Sequence, residues 1–499
     1  MHLNAGRKIW LAGLFVLCVT LALARFAGPG PYGLDASYYV QIARHVANGE
    51  GLTSTVSLYH SGFVLPARTT VSPMLPLLIG YASRVIGFER AVNAIPKLFY
   101  LLDLLMVFLV ARRLGAPIAV TTLLATNAAF YAVTTHPYRE GPAFFFALLA
   151  LWLIGRYFDT RANVWAIAAG FALGCAYLSR VEMALIGVAS VLVMLWLRDR
   201  RAMIAIALYG LAALIVILPW WLHLGVVPGL ERFFAWNPIP RVELPPIAMP
   251  VLSPSARALD VLAGAITAFR IGHPESYVRV FGLAALLVPI ACVCAIWRRK
   301  KIAGTPSIVH VTLLAGLLHF AALLWTRSDA VHFMHFLFGW RYGLSLLFLL
   351  LVAIPYLLAS DVRWLRIGTI AILVVTILTG ITGILDFIRA PGPAYSPAER
   401  ALLDWLRTQA RPMILTTNAQ TLGASSDALL HAAYCDDAPS TTRAFLARLP
   451  IDYVVVYRWE ARCAFVQGLG RELRPVRAFG TGNDRLYLLG RVTPGVPAR

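Results

Sequence analysis

The sequence of 499 residues contains few charged side chains. Only 14% of its residues are Asp, Glu, Lys or Arg, and 59% are hydrophobic, whereas soluble domains have about 25% charged residues. Apolar runs of about 17–22 residues recur along the chain, long enough to cross ~30 Å of hydrocarbon. These features exclude an ordinary soluble globular protein and predict an integral membrane protein with many spans.

The sequence also lacks the common signatures of nucleotide binding and soluble hydrolysis. It contains no Walker loop, no Gly-rich dinucleotide fingerprint after a predicted strand, and no H-E-x-x-H or G-x-S-x-G motif. The six cysteines show no metal-ligand spacing; they lie at positions 18, 175, 292, 294, 435 and 463. The net charge of +20 does not predict nucleic acid as a partner, because the arginines are spread between apolar runs instead of forming one stripe.

Eleven apolar runs are predicted as transmembrane helices. They cover residues 9–28, 95–111, 117–135, 141–157, 163–179, 182–197, 202–222, 280–297, 306–325, 336–358 and 367–386. With a cytoplasmic N-terminus, every short basic cluster between them falls inside, as the positive-inside rule requires. A twelfth stretch, 72–87, is short and carries Arg84, and counting it as a span would move Arg112 and Arg113 outside. We expect it to lie along the membrane interface.

This topology places the longer connecting segments outside. They are the loop 29–94, the proline-rich loop 223–279 and the tail from residue 387. The inner connections are too short to build a site, so function is expected on the outer face. We predict an all-α polytopic catalytic domain over 1–390 and a small α/β extracytoplasmic domain over 391–499.

The α/β prediction for the tail comes from its alternating helix and strand patterns. Ser396 and Glu399 have the spacing of an N-terminal capping box. Strands are predicted over 413–417, 452–458 and 485–492. Cys435 and Cys463 both lie in the tail, where an oxidising compartment would allow a disulfide, although the sequence does not fix their separation.

Two acids are candidates for chemistry on the outer face. Asp35 stands at the front of a predicted amphipathic helix over 36–48, where N-capping explains it without any chemistry. Glu140 lies in a very short outer loop with His136 and Arg139, where a polar turn is the simpler explanation. Both acids are nevertheless held near the membrane surface, and a carboxylate beside a transferring group is able to act as a general base.

Other charged residues cluster at the outer ends of spans. Arg180 and Glu182 interrupt two spans, either as an internal ion pair that stabilises a tight turn or as functional groups. Arg341 and Tyr342 begin a span, where a snorkelling arginine and a belt tyrosine need no ligand, although a guanidinium also matches phosphate bidentately. Further phosphate candidates are Arg68 in the first outer loop and Lys97 at the start of the second span.

Taken in order, these stretches resemble the polytopic GT-C glycosyltransferases, in the branch of the protein O-mannosyltransferases and the lipid A aminoarabinose transferases. The resemblance covers about residues 30–390. It rests on "GLDASYYVQIARHVANGEG" (33–51), "SPMLPLLIGYASRVIG" (72–87), "HPYREGPAFFFALLALWL" (136–153), "GCAYLSRVEMALI" (174–186) and "WRYGLSLLFLL" (340–350).

The resemblance implies an inverting transfer of a sugar from a polyprenyl-phosphate carrier to an acceptor hydroxyl. Asp35 matches the acid proposed as general base, and Glu140 matches the acid of the second loop. The expected substrate- and phosphate-binding residues are Tyr38, Tyr39, Arg68, Lys97, His136, Arg139, Arg180, Glu182, Arg341 and Tyr342. No metal is predicted, although some members use a divalent cation. Residues 60–72 lack the Glu-Lys-Pro pattern of the aminoarabinose branch, which leaves the donor sugar open.

The same resemblance implies a multi-pass protein of the bacterial inner membrane, with its site and tail on the periplasmic side. The acceptor would be a lipid, a glycan or a protein. A transporter or lipid flippase is the main alternative, but it should show paired half-repeats with broken helices near the midplane, and the sequence shows no corresponding halves. A non-catalytic assembly protein that keeps the fold is a third interpretation.

The topology predicts that residue 113 faces the cytoplasm. A cysteine placed there, Arg113→Cys, is expected to resist a membrane-impermeant thiol reagent added to intact cells, because its basic cluster lies inside. The measurement is labelling of the full-length protein before and after the membrane is opened. Strong labelling before opening would overturn the eleven-span arrangement.

Overall fold

The fold is taken from a computed structural model of the chain. It describes residues 5–24, 34–57, 65–69, 71–197, 200–224, 308–325, 347–389, 394–435, 437–470 and 473–491. Up to residue 389, the described helices are α1 (Ala5–Leu23), α2 (Leu34–Ala47), α3 (Met74–Ile86), α4 (Phe88–Leu114), α5 (Pro117–Ala125), α6 (Ala128–Thr135), α7 (Glu140–Thr160), α8 (Asn163–Ser179), α9 (Ala184–Leu195), α10 (Arg200–His223), α11 (Ile308–Trp325), α12 (Leu347–Leu358) and α13 (Arg363–Arg389).

The chain divides into two compact units. Unit 1 comprises Met1–Phe26, Pro96–Trp220 and Met249–Ala390, and unit 2 comprises Ala27–Ile95, Trp221–Ala248 and Pro391–Arg499. Residues 27–95 thus group with the tail in unit 2. The functional domains 1–390 and 391–499 stay a prediction.

Several helices are long and apolar enough to cross a membrane. Within the described part of the chain these are α4, α7, α10 and α13, and α5 with α6 make a fifth if the pair counts as one bent span. Shorter apolar helices lie at Trp10–Leu23, Met74–Ile86, Asn163–Ser179, Val181–Leu195, Ile308–His319 and Leu347–Leu358. The predicted span 280–297 and the first part of 336–358 lie outside the described residues, so the number eleven stays a prediction.

The run 117–135, predicted as one helix, is broken. Helices α5 and α6 meet at an angle of 69°. The break has a local cause, since the side chain of Asn127 accepts a hydrogen bond from the backbone N–H of Phe130 at 2.7 Å and thereby caps α6. The prediction of one uninterrupted helix was wrong, because a single asparagine within an apolar run was read as part of the run.

The predicted inner ends of unit 1 carry their own polar and aromatic contacts. Arg113, at the end of α4, lies 2.5 Å from the carboxylate of Asp159, at the end of α7. The guanidinium of Arg156 lies over the rings of Trp152 and Trp165, at 5.9 and 5.1 Å. These helix ends therefore share a belt of arginine and tryptophan, the residue types favoured at a membrane interface.

Unit 2 is built around a mixed sheet. Its strands and later helices are β1 (Thr53–Ser54), β2 (Val56–Ser57), β3 (Ala67–Arg68), α14 (Pro397–Leu406), β4 (Met413–Thr416), α15 (Ala419–Gly423), β5 (Leu429–Ala432), α16 (Pro439–Arg448), β6 (Tyr453–Tyr457), α17 (Ala464–Gln467), β7 (Leu473–Phe479) and β8 (Leu486–Arg491). Six strands pair in the order β2-β5-β4-β6-β8-β7, with β2, β5, β4 and β6 parallel and the last two antiparallel. Strands β1 and β3 form a separate antiparallel pair.

The local predictions for the tail are confirmed. The three predicted strands correspond to β4, β6 and β8. The capping box is present, because the Glu399 backbone N–H donates to the Ser396 hydroxyl at 3.2 Å and the Ser396 N–H donates to the Glu399 carboxylate at 2.9 Å. Strand β2 was not predicted: it pairs Val56 with Leu430 and so adds a strand from the predicted first outer loop to the sheet.

The core of unit 2 joins the segment 34–57 to the tail. Tyr38 and Ile42 of α2 share one hydrophobic cluster with Leu402, Leu422 and Leu430. Helix α3 packs against the other side of α2 through Gly80, where a Cβ would lie 2.6 Å from a methyl carbon of Val46. Helix α2 is thus enclosed, and burial of its apolar groups supplies stability at roughly 25 cal/mol per Å².

Cys435 and Cys463 form a disulfide in unit 2, with their Cα atoms 4.6 Å apart. Replacing both by serine is expected to lower the free energy of unfolding by about 3–4 kcal/mol, because the bond closes a loop across 28 positions. Thermal unfolding of the full-length protein in detergent measures this. Cys175→Ser, which removes a free thiol on α8, is the control, and equal midpoints for both variants would contradict the prediction.

Candidate active site

Asp35 lies in the first turn of α2. The helix begins at Leu34, so Asp35 is its second residue. The prediction that Asp35 caps a helix starting at residue 36 was therefore wrong, because the helix starts two residues earlier. A carboxylate here is favoured by the partial positive charge of the helix N-terminus. The side chain of Asp35 is half-buried, so it packs against protein and remains partly accessible to solvent.

A buried polar network holds α2 in place behind Asp35. The Gln41 amide donates to the Thr55 hydroxyl at 2.8 Å and lies 2.7 Å from Nε2 of His45, while the Ser54 hydroxyl donates to Gln41 Oε1 at 3.1 Å. Nδ1 of His45 lies 2.8 Å from the Glu50 carboxylate. Burial lowers the pKa of His45, and the Glu50 charge opposes that effect. The network fixes α2 against residues 50–57 and so orients its first turn.

The two tyrosines after Asp35 are buried in unit 2. Tyr38 is 7% exposed and Tyr39 is 3% exposed. The Tyr38 hydroxyl is hydrogen-bonded to the side chains of Ser54 and Thr69, and burial raises the pKa of its phenol. In the hydrophobic core, Tyr38 mainly supports α2; a direct role for either tyrosine in substrate binding stays a prediction.

Arg68 presents an exposed cation on the edge of unit 2. It lies on β3, and its guanidinium approaches the backbone carbonyl of His223 at 3.5 Å. The His223 ring is half-buried and interacts with the backbone at Leu52 and Thr69. The end of α10 and the β1–β3 pair therefore place an arginine and a histidine beside each other, and His223 was not singled out from the sequence because it only ends an apolar run.

In unit 1, Arg180 connects two carboxylates at the predicted outer helix ends. Its Nη1 lies 2.6 Å from Oε1 of Glu140, and its Nε and Nη2 donate to Oε1 of Glu182. Arg180 ends α8, Glu140 begins α7, and Glu182 lies in the short 3-10 helix Val181–Met183. Glu140 is 0% and Arg180 4% exposed. Glu140 and the pair Arg180 and Glu182, predicted as separate groups, therefore form one ion cluster.

Other predicted residues surround this ion cluster. Arg139 directly precedes α7 and interacts electrostatically with Glu182. His136 ends α6 and packs its ring on Phe387 at 5.1 Å. His319 of α11 was not predicted as a site residue; it is 2% exposed and interacts electrostatically with Arg180 and Glu182. Its Nδ1 donates to the carbonyl of Ala315 at 2.8 Å, which fixes the tautomer; an ionisable residue inside a span is the signal that would have found it.

Helix α4 carries two buried ionisable groups. Lys97 follows Pro96 and is 7% exposed. Asp103 is 0% exposed, and neither of its oxygens has a hydrogen-bond partner among the described residues. The predicted phosphate-binding role of Lys97 remains untested, and we assign no role to Asp103.

Two predicted residues, Arg341 and Tyr342, lie outside the described residues. Asp35 belongs to unit 2 and Glu140 to unit 1, so a site shared by the two acids also stays a prediction. Within the described part of the chain, no group of three or more His, Cys, Asp and Glu side chains is suited to hold a metal ion.

The chain was compared with protein-family models, curated proteins and solved structures. A family model described as dolichyl-phosphate-mannose-protein mannosyltransferase matches residues 70–223, less than a third of the chain. A search of curated proteins finds no significant match. ArnT from Cupriavidus metallidurans in the apo state is 14% identical with a TM-score of 0.59, over 98% of this chain and 99% of that one.

Two further solved structures are similar to this chain in fold. ArnT from Cupriavidus metallidurans bound to undecaprenyl phosphate has 14% identity and a TM-score of 0.56, over 99% of both chains. The archaeal oligosaccharyltransferase AglB from Archaeoglobus fulgidus, in complex with an inhibitory peptide and a dolichol-phosphate, has 14% identity and a TM-score of 0.56, over 91% of this chain and 70% of that one. The chain has the GT-C glycosyltransferase fold. The resemblance drawn from the five sequence segments is confirmed at the level of the GT-C fold.

The ion cluster of Arg180, Glu140 and Glu182 predicts unequal effects of substitutions on stability. Arg180→Met removes the cation beside a fully buried carboxylate and is expected to cost about 3–5 kcal/mol. Glu182→Gln should cost less, because the Glu182 side chain is 36% exposed. Thermal unfolding of the purified full-length variants measures both. A Glu182→Gln variant as unstable as Arg180→Met would contradict the assignment of Glu140 as the dominant partner.

Proposed function

We propose that this chain is a glycosyltransferase that moves a sugar from a polyprenyl-phosphate carrier to a hydroxyl acceptor on the outer face of the membrane, with inversion at the sugar. The observation that carries the proposal is the structural correspondence with ArnT bound to undecaprenyl phosphate, which extends over 99% of both chains. The match of residues 70–223 to a mannosyltransferase family model supports the same class of donor.

Asp35 is the proposed general base. Its carboxylate takes the proton of the acceptor hydroxyl as that oxygen attacks the anomeric carbon from the face opposite the phosphate. The bond between the anomeric carbon and the phosphate oxygen breaks, and its electron pair leaves with the polyprenyl phosphate. Placement supports this role, since Asp35 is half-buried on a helix whose polar side chains Ser37, Gln41 and His45 are buried, with Arg44 half-buried. A positioned base contributes typically 10²–10⁴-fold to the rate.

Glu140 receives a different role in the proposal. Its Oε1 is 2.6 Å from a guanidinium nitrogen of Arg180, so this carboxylate oxygen is already engaged by a cation. We assign Glu140 to position Arg180 and the outer end of α8. Fixed cations then stabilise the charge that grows on the departing phosphate, and the candidates are Arg68, Lys97, Arg139 and Arg341.

The proposed orientation has about eleven spans, a cytoplasmic N-terminus and residues 391–499 outside, in a bacterial inner membrane. The disulfide between Cys435 and Cys463 supports an oxidising compartment for the tail. The contacts of Arg156 with the rings of Trp152 and Trp165 support an interfacial position for the end of α7 and the start of α8. The sugar and the acceptor, which is a lipid, a glycan or a protein, are left open by this proposal.

Asp35→Asn is expected to lower transfer by roughly 10²–10⁴-fold, because an amide does not accept the hydroxyl proton. The measurement is acceptor-dependent release of polyprenyl phosphate by purified protein supplied with polyprenyl-phosphate sugars. Binding of the carrier should be unchanged, so the loss should appear in kcat.

Asp404→Asn is the matched control, because Asp404 is an exposed acid in the same unit that pairs only with neighbouring Arg407 in the described contacts. It should retain full turnover. Unchanged turnover in Asp35→Asn would remove the base assignment, and a wild-type protein inactive with every polyprenyl-phosphate sugar would remove the proposed function.

A further inference from the structure

Three arginines cluster at the ends of α4 and α7 that are predicted to face the cytoplasm. Arg113 lies in the last turn of α4, Arg156 lies near the end of α7, and Arg161 directly follows α7. Helix α7 has 21 residues, so at about 1.5 Å per residue it is about 30 Å long, the thickness of the hydrocarbon core. The arginine cluster therefore lies at the opposite end of α7 from Glu140 and contains none of the candidate catalytic or phosphate-binding residues.

One face of α7 forms the floor of the arginine cluster. Trp152, Gly155, Arg156 and Asp159 are three or four positions apart and so share this face. Arg113 of α4 crosses the face at Gly155, because a Cβ on that glycine would collide with the Arg113 guanidinium. Beyond Gly155, Arg113 lies 2.5 Å from the Asp159 carboxylate. The absence of a side chain at Gly155 thus allows an arginine of α4 to lie on the surface of α7.

Two indole rings hold the guanidinium groups in place. The guanidiniums of Arg113 and Arg156 each lie 5.9 Å from the centroid of the Trp152 ring, and that of Arg156 lies 5.1 Å from the ring of Trp165 on α8. The two indoles meet edge to face at 6.3 Å. A cation–π contact orients an arginine without neutralising its charge. The aromatic side chains therefore position the cations and leave them able to attract an anion.

The surrounding sequence supplies little negative charge to this end. Residues 104–181 contain two acids, Glu140 at the other end of α7 and Asp159 in the arginine cluster. Asp159 faces the three clustered arginines and the exposed Arg112 beside them. Its own side chain is 57% exposed, so solvent screens its charge. These helices thus bring an excess of positive charge to one place at the membrane boundary.

The backbone at Arg161 is unusual for an arginine. Its φ is +56°, in the left-handed region, and its N–H donates to the Tyr157 carbonyl at 2.7 Å and ends α7. Glycine or asparagine usually occupies this position because most other side chains are strained there. The Arg161 guanidinium lies 5.9 Å from the centroid of the Tyr157 ring. Helix termination alone does not explain a cation at this position, whereas an anionic ligand does.

We propose that the arginine cluster of Arg113, Arg156 and Arg161 binds the phosphodiester headgroup of an anionic phospholipid of the bilayer. Guanidinium groups match phosphate oxygens in pairs, and basic sites between helices on the cytoplasmic side suit anionic headgroups. Arginine and tryptophan at a helix end place their polar parts at headgroup depth and their apolar parts in hydrocarbon. The inference goes beyond the proposed function and does not depend on transfer.

Thermal unfolding of the full-length protein in mixed micelles tests the site with defined lipids. Phosphatidylglycerol is expected to raise the unfolding midpoint by about 2–4 °C, as a ligand that binds only the folded state does. Phosphatidylcholine has no net charge and should leave the midpoint unchanged. Inorganic phosphate separates a lipid headgroup from a soluble anion. An equal rise with both lipids, or a rise with inorganic phosphate as large as with phosphatidylglycerol, would contradict the proposal.

Arg161→Gly removes one cation and suits the left-handed backbone, so this variant is expected to stay folded in phosphatidylcholine. It should lose the rise caused by phosphatidylglycerol, and its affinity for a fluorescent phosphatidylglycerol should fall about tenfold, because a charge-assisted pair is lost. Arg156→Gln removes the cation between the two indoles and is expected to have the same effect if Arg161→Gly does not fold. Wild-type affinity in both variants would overturn the proposal.

Arg366→Gln on α13 is the matched control, because Arg366 is an exposed arginine at another predicted inner helix end. It should keep the wild-type midpoint rise and the wild-type affinity. A loss in Arg366→Gln equal to that in Arg161→Gly would show a general effect of surface charge and overturn the site. Lipid binding is measured without donor or acceptor, so a failure of transfer would remove the proposed function and leave this site standing.

Discussion

The pairing of Arg180 with Glu140 and Glu182 is the interaction on which the predicted outer end of unit 1 depends. A guanidinium that is 4% exposed between two carboxylates joins the start of α7, the end of α8 and the turn into α9. Each of these charges would be expensive to bury alone. Together they fix the short turn between α8 and α9 without a polar loop.

In unit 2, hydrogen bonds and the contact of His45 with the Glu50 carboxylate hold the helix that carries Asp35. Helix α2 lies between α3 and the core of the mixed sheet, and Gln41 and His45 bond to residues 50–55 behind it. A helix enclosed on several sides keeps its first turn in one orientation, which is what the proposed general base Asp35 requires. Strand β2, which follows that network, ties the same segment into the sheet of the tail.

Local patterns in the sequence predicted much of this fold. The capping box of Ser396, three strands of the tail and most apolar helices follow from spacing over a few residues. The predicted helix 163–179 has the bounds of α8. The order of the weak motifs was also enough to identify the GT-C fold, although no single segment was specific.

What the sequence did not reveal depends on contacts between distant positions. Glu140 and Arg180 are 40 residues apart, and Val56 pairs with Leu430 across most of the chain, so neither partnership leaves a local pattern. The amphipathic pattern of α2 does not reveal that Gln41 and His45 are buried, because their burial comes from packing against residues 50–55. The break at Asn127 was missed since one polar residue barely changes the hydropathy of a run.

The central claim is that a lipid-linked sugar is consumed on the outer face of the membrane. Mass spectrometry of cell-envelope lipids and glycans, from cells with and without this protein, tests it most directly. The account predicts that one sugar-modified acceptor disappears without the protein and that the matching polyprenyl-phosphate sugar accumulates. Identical inventories in the two cell populations, with no carrier-linked sugar accumulating, would contradict it.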